Sequence, residues 1–344
     1  MYHTDSSGLL LSTSPLVFLH KLMDGEVFNY INQLYLVDIP AYMLYLISIL
    51  NIKIIMIKTT DLNNQKQINN YMEQREPFII RNASCIRTTS KKWSPEFISS
   101  INPNLKIPVK RYRKDNSINV SNTTLCNYIN YLIERRDCHY PMKGDILYCH
   151  DIPMFSMMKE LISDIDLSFL TILPKWYHYK WWRYVQFFMG PKGSWTPLHF
   201  DCLYTHNLFF QVYGKKRFVL IEYKNHIYLN RVGWRWFNSD TERPQLNSIK
   251  DNINLKMMEV VVNAGDILYM PPGTIHSVRG LEESISFNID FHTPRSSLYG
   301  LAKVFQGMPI KTAYYNLICV LGLVFKIPSR CLFFFYRSYL NYIS

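Results

Sequence analysis

The chain has 344 residues, 48% of them hydrophobic and 13 of them glycine, enough apolar material for one large domain with helical additions, and its composition excludes a disordered or fibrous polypeptide. Seven cysteines (Cys85, Cys126, Cys138, Cys149, Cys202, Cys319, Cys331) form no C-x-x-C pair, which argues against a zinc knuckle or a disulfide framework and for a reducing, intracellular compartment, cytoplasmic or nuclear. The net charge of +12 favours acidic partners, nucleic acid among them, although the chain displays no RNA-binding motif.

Residues 1–72 read as an apolar, helical extension followed by a polar linker. The longest uncharged run, Ile39 to Ile52, is short for a membrane span, and Lys53 stops its extension, so membrane association is not expected. No basic, then apolar, then small-residue pattern marks a secretory signal. Asp61 to Asn70, rich in Asn and Gln, reads as the linker. From about residue 73 the pattern changes: Pro77 precedes an apolar strand, and Ser94 caps a short helix with Pro95 at its first position. Lys110 to Asn116 is a basic cluster that reads as a solvated loop. Thr124 to Arg135 reads as an amphipathic helix with Leu125, Tyr128, Ile129, Leu132 and Ile133 on one face. In Lys175 to Gly190, Val185 to Met189 is a core strand. The aromatic and cationic residues Trp176 to Trp182 suit either a substrate-facing loop or a core.

Chemistry is legible in Gly190 to Arg217. His199 and Asp201 are two residues apart, a spacing that in a strand turns both side chains to one face. A redox iron centre uses two histidines and one carboxylate, with the remaining positions open, so a second histidine must come from elsewhere. His276 is the candidate. It ends the stretch G-D-I-L-Y-M-P-P-G-T-I-H, where Ile267 to Met270 reads as a buried strand entering a tight turn and the histidine follows on the next strand. Two strands so far apart in sequence meet at one ion only in a closed or sandwiched antiparallel sheet.

The combination of H-x-D after G-x-x-T-P with G-x5-P-x-G-x-x-H resembles the cupin-like JmjC group of Fe(II)- and 2-oxoglutarate-dependent dioxygenases. The local pattern is similar to that of asparaginyl hydroxylases of the factor-inhibiting-HIF group and the small protein or tRNA hydroxylases around them. The asparagine that the wider cupin motif places soon after the histidine is absent. The likeness covers about residues 75–294. It implies a mainly β fold, the double-stranded β-helix or jelly roll, with flanking N- and C-terminal helices and a catalytic domain over 73–295. It also implies an enzyme with Fe(II) held by His199, Asp201 and His276, and with 2-oxoglutarate and O2 as co-substrates.

2-Oxoglutarate carries a second carboxylate inward, which needs a buried cation and a hydroxyl. Lys216, on a strand from Gly214 to Ile221, and Thr196 suit these roles, and the family's G-x-K spacing selects Lys216 over Lys215. The resemblance further places Asn207, Phe209 and Asn288 in that pocket, with two extra residues between Asp201 and Asn207. A protein side chain is the expected substrate. Hydroxylation or demethylation of tRNA or another nucleic acid is the alternative, and a non-catalytic cupin that only binds a ligand is a third reading. Leu229 to Ser248 is a long insertion whose Trp234 to Phe237 segment is expected to cover the substrate. Within the tail, 296–344, Tyr314 to Phe325 and Cys331 to Tyr342 read as helices, through which the resemblance implies a homodimer.

Overall fold

The structure, a computed structural model, describes residues 56–112, 118–137, 146–238 and 257–340. The apolar stretch Ile39 to Ile52, Cys138 and most of the insertion after Phe237 lie outside the described residues.

Two facing sheets make the jelly roll expected from the sequence. One contains β1 (Lys58–Thr60), β2 (Phe78–Ile80), β5 (Cys149–Ile152), β6 (Val185–Gly190), β8 (His206–Tyr213), β13 (Ile267–Met270) and β15 (Ser284–Phe291), in the order β1-β2-β13-β8-β15-β6-β5. The other contains β7 (Trp195–His199), β9 (Lys215–Ile221), β10 (Asn230–Val232), β11 (Trp236–Asn238), β12 (Met257–Asn263) and β14 (Ile275–Gly280), in the order β10-β11-β7-β14-β9-β12. A hairpin of β3 (Lys106–Tyr112) and β4 (Ile118–Thr124) leads into the helix Leu125–Asp137. The β8 sequence H-N-L-F-F-Q-V-Y is buried almost throughout because β13 and β15 pair with its two edges and helices cover its outer face. Its outward Leu208, Phe210 and Val212 join the main core, while Asn207 and Phe209 turn toward the opposite sheet, the alternation a strand imposes.

Helices pack over the outside. The amphipathic helix read from Thr124 is present as Leu125–Asp137, with Thr124 accepting a bond from the Asn127 amide and Leu125, Tyr128, Ile129 and Leu132 buried. The two tail helices, Ile310–Leu323 and Ser329–Leu340, bury Tyr315, Ile318, Cys319, Leu323, Tyr336 and Tyr339 in the main core. Among the described residues no helix is long and apolar enough to cross a membrane.

Two sequence expectations need correction, and a third reading that the sequence left open is decided. The stretch read as a polar linker holds a helix, Gln65–Glu73, capped by the Asn64 side chain; its short apolar stripe, Ile68, Tyr71 and Met72, falls mostly beyond the Asn- and Gln-rich run that suggested a linker. Lys110, expected in a solvated loop, lies on β3, is 6% exposed, and approaches Asp151 at 3.8 Å. Of the two readings open for Trp176 to Trp182, core holds for most of the stretch, although Tyr179 is 52% exposed. Trp176 donates to the Ile327 carbonyl at 3.0 Å and lies on the α-carbon of Gly322, where an added Cβ would stand 2.3 Å from its indole nitrogen. Tyr177 and Trp181 are buried beside it.

Candidate metal centre

β7 and β14 are neighbours, and their register sets His199 directly opposite His276. Two residues 77 positions apart thereby become a cross-strand pair, with ring centroids 4.3 Å apart. Each ring is oriented by its own backbone. His199 Nδ1 bonds the Pro197 carbonyl at 2.7 Å and His276 Nδ1 bonds the Thr274 carbonyl at 3.0 Å. A carbonyl only accepts, so both Nδ1 atoms carry a proton, and in the neutral ring this leaves the lone pair on Nε2, which faces Asp201. Burial, then the neighbouring His276 and Arg235, holds the His199 pKa well below its ordinary value, which keeps the ring neutral as a ligand requires.

Asp201 completes the triad from the turn after β7 rather than from the strand itself. Chain geometry therefore differs from the same-face strand argument, yet the carboxylate converges: Oδ1 is 4.0 Å from His199 Nε2 and 3.9 Å from His276 Nε2. Among the described residues this is the single cluster of three or more His, Cys, Asp or Glu side chains arranged to hold a metal ion, with ligand atoms all within 4.8 Å of one another. The acid lies 4.0 and 3.9 Å from the two imidazole nitrogens, so an ion bound at about 2.0–2.2 Å from each ligand would draw the three side chains inward onto it. Two imidazoles and one carboxylate are the donor set that suits a non-haem iron centre.

Asn207 fixes the acid. Its Nδ2 donates to Asp201 Oδ2 at 3.1 Å, leaving Oδ1 toward the histidines. Outer hydrogen bonds of this kind are worth about 10–100-fold in metal affinity. Asn207→Ala is accordingly expected to weaken Fe(II) binding by about that factor with the fold retained; an unchanged dissociation constant would remove Asn207 from this role.

Thr196 precedes His199 by three residues, which on a flat strand would place the two on opposite faces. The β7–β14 register shifts between them, and this β-bulge turns both inward. Thr196 Oγ1 lies 3.2 Å from His150 Nε2. Farther along the same face, Lys216 pairs with Gly280 on β14, four residues beyond His276. At about 3.3 Å per residue the two backbone positions stand about 13 Å apart. Lys216 is 1% exposed, with Nζ donating to Tyr148 OH at 3.0 Å and to Ser286 Oγ at 2.6 Å, within rings of Tyr148, Phe188 and Phe209. No carboxylate partners it among the described residues, and burial pushes its pKa down to about 7.

All eight residues singled out from the sequence line one pocket: His199, Asp201 and His276 at one end, Lys216 toward the other, Thr196 between them along β7, and Asn207, Phe209 and Asn288 along its wall. The side-chain oxygens of Asn207 and Asn288 are buried without a hydrogen-bond partner, as in a site built around polar occupants. Of the insertion residues, Trp236 lies in the pocket, 5.0 Å from the His199 ring, whereas Trp234 and Phe237 pack around Phe200.

Sequence reasoning missed Tyr148, Ser286, Asp290 and Tyr339, all on or against this pocket, whereas Arg235, which also lines it, belongs to the segment expected to cover the substrate. For Ser286 and Asp290 a signal existed, since Ser284, Ser286, Asn288 and Asp290 alternate with apolar residues on β15 and make an inward polar stripe. Burial and the nearby Asp201 and Asp151 push the Asp290 pKa well above the carboxylate range. Tyr148 and Tyr339 reach the pocket through long-range packing that no local pattern announces.

Fold and site define a jelly-roll protein with a two-histidine, one-carboxylate centre. Residues 64–297 match the cupin-like domain family, and the chain belongs to that family. It is similar to 2-oxoglutarate and iron-dependent oxygenase JMJD4 of Gallus gallus, 29% identical over 203 residues, covering 56% of this chain and 46% of that protein. It is also similar to JmjC domain-containing protein D of Dictyostelium discoideum, 37% identical over 103 residues (28% and 22% of the two chains). Lysine-specific demethylase JMJ30 of Arabidopsis thaliana is 25% identical over 243 residues (67% and 53%). The matched regions span about half or less of the length of these relatives.

Proposed function

We propose that this chain is an Fe(II)- and 2-oxoglutarate-dependent oxygenase that hydroxylates a protein side chain. The observation that carries this reading is the pairing, in one pocket, of a His199–Asp201–His276 donor set with a buried lysine that has no carboxylate partner among the described residues. Metal chemistry alone needs only the triad. A lysine buried at the far end of the slot asks for a partner with one carboxylate there and metal-binding atoms at the other end, which describes 2-oxoglutarate.

In this reading His199, Asp201 and His276 hold the iron, with Asn207 steering the carboxylate. Lys216, helped by the Tyr148 and Thr196 hydroxyls, neutralises the distal carboxylate. Phe188, Phe209, Phe218 and Val278 line the slot and exclude water, which strengthens each charge interaction inside it. When bound, iron and 2-oxoglutarate together supply the oxidising chemistry, O2 being consumed as 2-oxoglutarate loses CO2 to give succinate and one oxygen atom passes to a substrate C–H bond. Trp236, Arg235, Asp290 and Tyr339 then line the side from which a substrate enters.

A protein substrate is supported by the names of relatives: one is a lysine-specific demethylase, and another, 31% identical over 102 residues (29% of this chain, 22% of that protein), is arginine-specific demethylase JMJ20 of Arabidopsis thaliana. A nucleic-acid substrate rests on the net charge of +12 alone. Exposed Leu317, Phe334 and Phe335 on the tail helices support pairing of two copies there, and a monomer in light scattering would remove that part of the proposal. The chemistry is tested by incubating the purified chain with Fe(II), 2-oxoglutarate and air and measuring succinate, then searching exposed peptides by mass spectrometry for a gain of one oxygen. Succinate above a metal-free control is the expected result; none with intact, metal-loaded protein would leave a binding module.

A further inference from the structure

Asp201 lies in the turn after β7 and His276 at the start of β14, so something must fix the distance between that turn and the strand entry. The chain passes from Asp201 through a tight turn in which the Tyr204 amide donates to the Asp201 carbonyl at 2.8 Å. Tyr204 has φ +63° and is 1% exposed. An aromatic residue held in the left-handed region is uncommon, and such backbone persists where the surroundings over-determine it. Here the surroundings are the other half of the metal centre. The phenol ring lies directly on Gly273, where an added Cβ would stand 2.3 Å from Cε2 and Cζ. Gly273, at φ +79°, immediately precedes Thr274, whose carbonyl orients the His276 ring.

The ring is braced from its other side. Lys303, 2% exposed, sits 4.5 Å from the Tyr204 centroid and 4.6 Å from those of Tyr223 and Tyr299, with Nζ donating to Gln306 Oε1 at 2.8 Å. A desolvated ammonium among three rings is held by their quadrupoles. Lys303 follows the helix Pro294–Ala302, so the element after the jelly roll presses Tyr204 onto the turn that carries His276.

The geometry points to Tyr204 as the positioning residue of the metal centre: wedged between Gly273 and Lys303, its ring sets the separation of the Asp201 carboxylate from the His276 imidazole. This inference rests on the reading of the triad as a metal site. It requires the ring rather than the hydroxyl, because the ring fills the space between the two turns, and it assigns Gly273 its reason for lacking a side chain.

The test uses the purified full chain and Co(II), whose visible ligand-field bands report the geometry of its ligands, titrated under anaerobic conditions with thermal stability recorded in parallel. Tyr204→Phe is expected to keep the wild-type spectrum and affinity. Tyr204→Leu is expected to shift the bands and weaken Co(II) tenfold or more, and Gly273→Ala, which displaces the ring from the opposite side, is expected to do the same. A merely structural role would lower stability while leaving the spectrum and affinity of the folded protein unchanged, and that result in both variants overturns the proposal. Should both fail to fold, Lys303→Met, which keeps the ring and removes its brace, decides the matter: shifted bands support the inference and wild-type bands refute it. Absence of Co(II) binding by the wild-type chain would instead refute the metal reading itself.

Discussion

His276→Ala is expected to lower Fe(II) affinity by well over the 10–100-fold that outer hydrogen bonds are worth, and to take succinate formation below detection, with the fold intact. The side chain makes one backbone hydrogen bond, to the Thr274 carbonyl, worth about 1 kcal/mol to stability. Its strand is held independently, because the main chain of β14 pairs with both β7 and β9. Both rings face the pocket rather than the apolar core, so the apo protein should melt close to the wild-type temperature. Calorimetric titration with Fe(II) under argon, alongside a melting curve, separates lost ligation from lost folding. Wild-type affinity in the variant would mean that His276 is not a ligand.

Lys216→Met should separate function from stability in opposite directions. Breaking a buried charge pair by deleting one partner costs about 3–5 kcal/mol, so 2-oxoglutarate affinity should fall by about a hundred-fold or more, with Fe(II) binding retained. Without 2-oxoglutarate the same change removes an ammonium that burial holds near a pKa of about 7, against 10.5 in the unfolded chain. The folded-state pKa is depressed, so the destabilisation is complete below about pH 7 and fades as pH rises toward 10.5. Lys216→Met should therefore melt higher than wild type, most clearly at pH 7 and below.

The same shift gives binding a pH dependence. A carboxylate bound beside Lys216 raises its pKa, so binding above about pH 7 takes up a proton and affinity falls about tenfold per pH unit there. Neither His150, held well below its ordinary value by burial and the nearby lysines, nor Cys149, pushed up to about 12 by burial, titrates in that window. Affinity independent of pH between 6 and 9 at saturating metal would contradict the assignment of Lys216 to the anion.

How much of this was legible in the sequence follows from the range of the interactions. His199, Asp201 and His276 stand in short motifs whose turns and strands are set by neighbouring residues, so pattern alone singled them out. Gly214 before the Lys216 strand and the P-P-G turn before His276 are local in the same sense, with Gly214 and Gly273 both at positive φ. The register that sets His199 against His276, and the bulge that turns Thr196 inward, belong to pairing between distant strands. Tyr148 reaches Lys216 from 68 residues away, and Tyr339 comes from the last described helix. Such contacts carry no periodicity of their own. Aromatic residues left two readings open for a related reason: Trp176 to Trp182 have the composition of either a binding loop or a core, and the tail helices packed against Trp176 decide for core there.

The most direct test of this reading is an anaerobic titration of the wild-type chain with Fe(II) and then 2-oxoglutarate, followed by visible absorption. A weak charge-transfer band that appears only with both additions, saturates at one equivalent of each, and is absent from Asp201→Ala is the predicted result. Folded wild-type protein that gives no band, or an Asp201→Ala variant that gives the wild-type band, would contradict it.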